Sequence, residues 1–244
     1  MSAKWNPPLR IWRGVSWVKI KKEHIKTMNI NTPIYHKIQS VWKRDPENNY
    51  KSFIEGEWSL PEFEALKDIE WIWTEKIDGM NIRVIYDPET GVEFRGKSDA
   101  AQMPGDLVKH LQDTFTVATM ATIFTGPATL YGEGYGAGIQ KGGGYFNTVR
   151  KSFALFDAHI GGMWLERDNV QSIAEVLNIP LVPIVGAGTL TEAIELVRNG
   201  YCSFIAESEN HPAEGLVVRP TVELLDRRGN RIITKIKHKD FLES

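Results

Sequence analysis

Two hydrophobic periods alternate along the chain. Residues 71–97 carry apolar β-formers at Trp73, Ile77, Ile82, Val84 and Tyr86, which predicts two or three strands. "DPETG", residues 87–91, is the turn between "NIRVIY" and "VEFRGK". "ATLYGEGYG", "KSFALFDAHI", "EGLVVRP" and "RIITKIK" read as further strands. The helical period takes over in residues 105–124, where Leu107, Val108, Leu111 and Phe115 share one face. "DNVQSIAEVLNI" is a helix that Asp168 would cap, and "TLTEAIELVRNG" opens on a Thr189-x-x-Glu192 capping box and closes at Gly200. "SLPEFEALKDI" predicts a short helix with Ser59 as N-cap and Pro61 and Glu62 in its first turn. The chain has no internal repeat, low-complexity tract or Pro/Ser-rich linker. Its short turns leave little room for parallel crossovers, so the pattern predicts an α+β fold with mostly antiparallel strands.

Composition narrows the function classes. A length of 244 residues suits one large domain or two small ones, and 42% hydrophobic with 25% charged residues suits an ordinary core. No apolar run nears the ~20 residues of a membrane span, and "MSAKWNPPLRIW" has no apolar signal segment. Cys202 is the only cysteine, which excludes internal disulfides and cysteine-based zinc sites and fits a reducing cytosol. The six histidines are scattered without HExxH spacing, which argues against a histidine metal centre. With a net charge of −2, nucleic-acid contact would need locally concentrated positive charge. "WVKIKKEHIK" offers Lys19, Lys21, Lys22 and Lys26, and "RRGNRIITKIKHKDF" offers Arg227, Arg228, Arg231, Lys235, Lys237, His238 and Lys239. Most of the tryptophans suit a core; Trp12 and Trp17, beside the first lysine group, are the ones suited to stacking on bases.

One stretch breaks its own pattern. "WTEKIDGMNIRVIYD" reads as an apolar strand, yet it holds Lys76, Asp78 and Gly79 at its middle. A buried unpaired ammonium is costly, and a strand interior is a poor place for glycine. A nucleophilic lysine must be neutral, and moving its pKa from ~10.4 to ~7 takes about 4.6 kcal/mol of differential interaction. Burial and nearby cations such as Lys235 and Lys237 can supply that, and Gly79 would let a phosphate approach the backbone. The alternative is a lysine paired with Glu75 or Asp78 on a strand edge. The glycine-rich "LYGEGYGAGIQKGGGYF" contains no Gly-Lys-Ser/Thr and runs into Gly142-Gly143-Gly144 rather than a helix, so it is neither a P-loop nor a dinucleotide fingerprint. It is a flexible loop, or a strand end carrying Glu133 followed by a mobile loop near a substrate.

Lys76-Ile77-Asp78-Gly79 matches the KxDG signature of the covalent nucleotidyltransferases, namely DNA ligases, RNA ligases and mRNA capping enzymes. The other motifs of that superfamily follow in order. Glu133 in "YGEGYG" resembles motif III, "FALFDAH" motif IIIa, Glu214 in "EGLVV" motif IV, and Lys235-Ile236-Lys237 motif V. "EKIDGMNIR", with Asn81, and "GIQK" look most like the phage RNA ligases of the double-strand-sealing type.

The resemblance implies a nucleotidyltransferase (ATP-grasp-like) α+β domain, with two mainly antiparallel sheets flanking a nucleotide cleft and helices outside. It covers residues 76–237 and leaves residues 1–70 as a family-variable segment of one 244-residue domain. Lys237 stands seven residues before Ser244, where DNA ligases and capping enzymes continue into an OB domain and larger RNA ligases into a helical one; neither is expected here. The implied activity is ATP-dependent RNA ligation, as in RNA repair. Lys76 forms lysyl-AMP, AMP passes to a 5′-phosphate end, and a 3′-hydroxyl seals it. A minimal DNA ligase, or a degenerate nucleotide- or nucleic-acid-binding module, is the alternative. By resemblance Lys235 and Lys237 sit over the α-phosphate, and Glu133 and Glu214 bind ribose or metal-bound water, with Mg2+ or Mn2+ as the ion. Phe156 stacks on adenine, Glu75 lies at the adenine edge, and Ile77 and Asn81 complete the nucleotide site. Arg95 or Lys97 meets the ribose, with Arg95 favoured. The expected partners are nicked or duplex RNA and a protein that supplies end recognition. The expected location is cytoplasmic, in the host if the chain is phage-encoded, with no membrane.

Overall fold

The computed structural model describes residues 33–140 and 144–242. The described residues belong to one compact unit, Thr32–Ser244. The candidate stacking residues Trp12 and Trp17 and the lysines near them lie outside the described residues. Among the described residues, no helix is long and apolar enough to cross a membrane.

In chain order the elements are β1 (Gln39–Ser40), β2 (Trp42–Arg44), β3 (Phe53–Trp58), α1 (Pro61–Ala65), β4 (Trp71–Glu75), β5 (Met80–Asp87) and β6 (Gly91–Gly96). Then come α2 (Gly105–Thr114), α3 (Val117–Ile123), β7 (Ala128–Gly136), β8 (Lys151–Ile160), β9 (Met163–Trp164) and α4 (Arg167–Leu177). The last are β10 (Ile184–Gly188), α5 (Leu190–Asn199), β11 (Gly215–Pro220), β12 (Thr234–Lys237) and α6 (Lys239–Leu242). Two five-stranded sheets result, ordered β1-β12-β11-β4-β10 and β6-β5-β7-β8-β9. All their pairings are antiparallel except β1 with β12. β2 and β3 form a separate hairpin that the hydrophobic pattern did not predict.

Each sheet buries one face under helices. Ile82, Val84, Leu130, Phe153 and Leu155 pack with Leu107 and Leu111 of α2, Met120 of α3 and Val170 and Ile173 of α4. Trp71, Leu216, Val218 and Ile236 of the other sheet pack with Phe63 of α1 and Leu190, Ile194 and Val197 of α5. Period-two alternation then turns the opposite faces toward each other across a cleft.

Local rules were overridden at four places. The strand-like stretch 73–87 is two strands in different sheets, because residues 76–79 leave β4 and enter β5. Ser59 does not cap α1: Leu60 is the N-cap, and the Ser59 hydroxyl instead donates to the Ser40 carbonyl, tying β3 to β1. Asp168 lies inside the first turn of α4, where its charge suits the helix dipole, and Glu166 is the N-cap. Residues 105–124 are two helices, because Phe115 turns into the core and Thr116 caps α3 by accepting from the Thr119 N–H at 3.1 Å. The capping box of Thr189 and Glu192 forms as the sequence predicts.

Candidate active site

Strand register assembles the site. β11 pairs with β4 so that Leu216 stands opposite Glu75, which places Lys76 beside the residues that precede Leu216. The Lys76 amide N–H donates to the Gly215 carbonyl at 2.8 Å. β12 pairs with β11 so that Lys237 stands opposite Gly215 and Lys235 opposite Val217. Across the cleft, β5 pairs with β7 so that Asn81 stands opposite Glu133. Gly215 has φ +149°, and a Cβ there would lie 2.0 Å from the Ile236 carbonyl oxygen, so only glycine lets β11 start this close to β12.

Gly79 has a packing use besides the one its sequence context suggested. A Cβ at Gly79 would lie 2.3 Å from the Gly134 carbonyl oxygen and 2.8 Å from Glu133 Cγ. The glycine lets the turn carrying Lys76 press against β7, which holds the lysine near Glu133. Gly79 also lines the cleft cavity, so a phosphate's access to its backbone remains compatible with this packing.

The cavity has a volume of about 420 Å³ and is walled by both sheets. Lys76 Nζ donates to Glu214 Oε2 at 2.5 Å, and Lys237 Nζ reaches Glu214 Oε1 at 2.6 Å. One carboxylate thus bridges two lysines that lie far apart in the sequence, Lys76 and Lys237. Burial works to raise the Glu214 pKa, and Lys76 and Lys237 overcome it, so its carboxyl is held below the usual range. Lys235 lines the same cavity and makes no ion pair with another described residue. Burial, reinforced by like charge from Lys237, Lys76, Lys97 and Arg44, brings its ammonium down to about 8. Glu133 is enclosed by protein except where it meets the cavity. Burial pushes its carboxyl up to about 8; Lys76 opposes the shift, and Glu214 and Asp78 add to it.

Phe156 reaches the cavity through a β-bulge. Tyr131 pairs with Asp157 and Gly132 with Leu155, so Phe156 has no cross-strand partner. Strict alternation would send Phe156 and Asp157 to opposite faces, but both line the cavity. Val217 lines it from the other sheet. Asp157 accepts from Tyr35 Oη at 2.8 Å and Arg231 Nη1 at 2.6 Å, which satisfies a buried charge.

The remaining expected site residues divide. Asn81 lines the cavity with Oδ1 buried and without a hydrogen-bond partner among the described residues, an acceptor beside Glu133. Glu75 lines the cavity too, but its carboxylate accepts from Ser203 Oγ at 2.5 Å and the Phe204 N–H at 2.7 Å, so it anchors the loop at 203–206. Ile77 packs under the cavity with Tyr135, Tyr145 and Val182. Arg95 is not in the cavity: its guanidinium pairs with Glu93 at 2.7 Å and Asp99 at 3.3 Å, whereas Lys97, just past the end of β6, lines it. Sequence reasoning overlooked Arg219 and Arg167. Arg219 was legible, because it shares the period-two face of Val217. Arg167 was not; it begins α4, lines the cavity, donates one N–H to the Val182 carbonyl and leaves Nε and Nη1 buried without partners among the described residues.

Two sheets facing across a cleft, with a lysine on the crossover between them and further lysines on the wall, define a nucleotidyltransferase fold. The chain belongs to the RNA ligase family, which it matches over residues 69–237. Its fold is similar to solved structures of an RNA ligase from Naegleria gruberi. An apo variant of that enzyme superposes with TM-score 0.59 at 18% identity, covering 84% of this chain and 57% of the other. A variant with ATP and Mn gives 0.59 at 17%, covering 84% and 58%. A structure with PPi gives 0.59 at 18%, covering 84% and 57%. The chain therefore spans rather more than half the length of these solved ligases.

Proposed function

We propose that this chain is an ATP-dependent RNA ligase that works through a lysyl-AMP intermediate. The observation that carries the reading is the ion-paired cluster of Lys76, Glu214 and Lys237, whose Lys76 lines the cavity with Glu133, in a chain of this family. The Naegleria ligase structures with ATP and Mn and with PPi support ATP as the nucleotide.

In the first step the Lys76 amine attacks the α-phosphorus of ATP. A P–N bond forms, the bond to the β-phosphate oxygen breaks, pyrophosphate leaves and the amine loses a proton. Attack needs the amine lone pair, so Lys76 must release Glu214 as the nucleotide binds. Lys235 and Lys237 then oppose the charge that builds on the phosphoryl oxygens. In the second step a 5′-phosphate oxygen attacks the lysyl-AMP phosphorus, the P–N bond breaks and the lysine regains a proton. In the third a 3′-hydroxyl attacks the activated phosphate, loses its proton and expels AMP. Phe156 and Val217 hold the base between the sheets, with Ile77 below, and Asn81 and Lys97 serve the ribose; the Glu75 carboxylate acts by fixing the 203–206 loop. Arg95 has no direct part in this reading.

The oxygen donors of Glu133 and Glu214 suit Mg2+ or Mn2+. Among the described residues, no group of three or more His, Cys, Asp or Glu could hold a metal alone, which fits an ion that keeps waters and substrate phosphates as its other ligands. When bound, such an ion neutralises phosphoryl charge. The substrate is RNA with 5′-phosphate and 3′-hydroxyl ends, nicked or duplex, and a protein partner could supply end recognition. The test is intact mass after incubation with ATP and magnesium. Wild type should gain one AMP and Lys76→Ala none; AMP on the variant would remove Lys76 from its role. A panel of RNA and DNA nicks then reads the substrate, and sealing confined to DNA would overturn the RNA assignment.

A further inference from the structure

A second groove opens beside the catalytic cavity, and its charge is out of keeping with the chain. It measures about 500 Å³ and shares Lys235 and Lys237 with the site above. Four more cations line it: Lys37, Arg44, Lys51 and Lys239. The one carboxylate that lines it among the described residues, Asp240, is engaged by Arg44 at 2.5 Å. Lys37, Lys51 and Lys239 are exposed and make no ion pair with another described residue. In a chain of net charge −2, six cations and one acid line the groove among the described residues; Lys237 is held by Glu214 and Arg44 by Asp240, which leaves Lys37, Lys51, Lys235 and Lys239 without an ion pair to another described residue. Uncompensated like charges repel, and such a cluster is stabilised when a polyanion lies in it.

The rim adds an aromatic. Tyr50 is 64% exposed at the tip of the hairpin of β2 and β3, and it also lines the groove. Asn49 and Tyr50 have φ of +50° and +60°, a left-handed conformation unusual for a tyrosine. The turn enforces it: the Tyr50 N–H donates to the Asp45 carbonyl at 2.7 Å, and the Lys51 N–H to the Asn48 carbonyl at 3.0 Å. Backbone strain held this way, with a large ring kept in water beside unpaired lysines, marks a binding surface rather than a packing need. Lysines along a groove with an aromatic at its edge are the elements of single-strand recognition, cations for phosphates and a ring for a base.

We propose that this groove holds the RNA strand that carries the 5′-phosphate. Its terminal phosphate reaches Lys235 and Lys237, the following phosphates lie along Lys37, Lys51 and Lys239, and a base stacks on Tyr50. The inference rests on the ligase reading for the identity of the strand and deepens it by assigning the acceptor's path.

The experiment measures two quantities on wild type, Lys37→Ala, Lys51→Ala, Tyr50→Ala and Tyr50→Phe, with thermal melts to confirm folding. One is fluorescence anisotropy of a 5′-phosphorylated single-stranded RNA oligonucleotide without ATP, across a salt series. The other is AMP uptake from ATP by intact mass. Each lysine variant should weaken RNA binding at low salt and reduce the slope of log K against log salt by about 0.7. Tyr50→Ala should weaken binding roughly 5- to 100-fold with little change in slope, and Tyr50→Phe should restore it. AMP uptake should stay within about twofold of wild type, since these residues stand apart from the nucleotide cavity. If the variants bind RNA as wild type does, the groove assignment falls while the ligase reading stands. If AMP uptake collapses in the lysine variants, the groove serves the β- and γ-phosphates of ATP and the assignment falls. If wild type takes up no AMP, the ligase reading falls, and the anisotropy series still decides whether the groove binds RNA.

Discussion

Replacing Glu133 by glutamine should make the empty protein more stable at alkaline pH while ending its nucleotide chemistry. Burial pushes the Glu133 carboxyl up to about 8 from an ordinary value of 4.5. A carboxyl raised in the fold keeps its proton there after the unfolded chain has lost it. Stability is therefore whole below pH ~4.5, declines as pH rises, and reaches a constant penalty above pH ~8. A shift of this size corresponds to at most about 5 kcal/mol. Because the carboxyl touches a cavity that water can reach, on the order of 2–3 kcal/mol is expected, a sizeable share of a typical 5–15 kcal/mol stability. Glutamine keeps the shape without the charge and escapes the penalty. The assay is urea unfolding of wild type and Glu133→Gln in EDTA at pH 5, 6, 7, 8 and 9. The variant's advantage should be near zero at pH 5, grow through pH 7 and level off near pH 8, and added magnesium should recover part of the difference for wild type alone. A difference that does not change with pH, or a variant that is less stable at pH 8, would refute the claim that Glu133 is held in the cleft against its own desolvation.

Lys237→Ala should lower the rate of AMP uptake about 10²–10³-fold with little loss of ATP affinity, because the charge it opposes develops mainly in the transition state; single-turnover mass measurements against ATP binding check this. Lys235 is brought down to about 8, so its positive charge fades as pH rises past 8. ATP affinity of wild type should fall between pH 7 and 9, and Lys235→Arg should flatten that fall; titration at three pH values reads it. Gly79→Ala would put a methyl 2.3 Å from the Gly134 carbonyl oxygen, so the turn must move away from β7. It should lower the melting temperature and abolish AMP uptake, whereas Gly105→Ala, where a Cβ meets nothing within 4 Å, should leave both intact.

Local patterns in the chain determined much of this protein. Runs of apolar β-formers marked β4 to β8, β11 and β12, whereas the short β1 and β9 and the glycine-containing β10 were not read from the pattern. The capping box at Thr189 and Glu192 was readable because it is satisfied within four residues. The order of the motif residues identified Lys76, Glu133, Glu214 and Lys237 as one group before any of them could be seen to meet. Tertiary structure decided how they meet. Glu214 lies between Lys76 and Lys237 because the registers of β4, β11 and β12 align there, and register is a pairing property that no single segment states. Phe156 and Asp157 share a face through a bulge, which needs a partner strand to exist. Lys97 rather than Arg95 lines the cavity because β6 ends between them at Gly96, and Arg95 is already held by Glu93 and Asp99. The basic groove was only half legible for the same reason: Lys235, Lys237 and Lys239 stood out as one charged run, but not their meeting with Lys37, Arg44 and Lys51. Lys37, Arg44, Lys51 and Lys239 are dispersed over more than 200 positions, and only the pairing of β1 with β12 and the fold of the β2 and β3 hairpin bring their charges to one place.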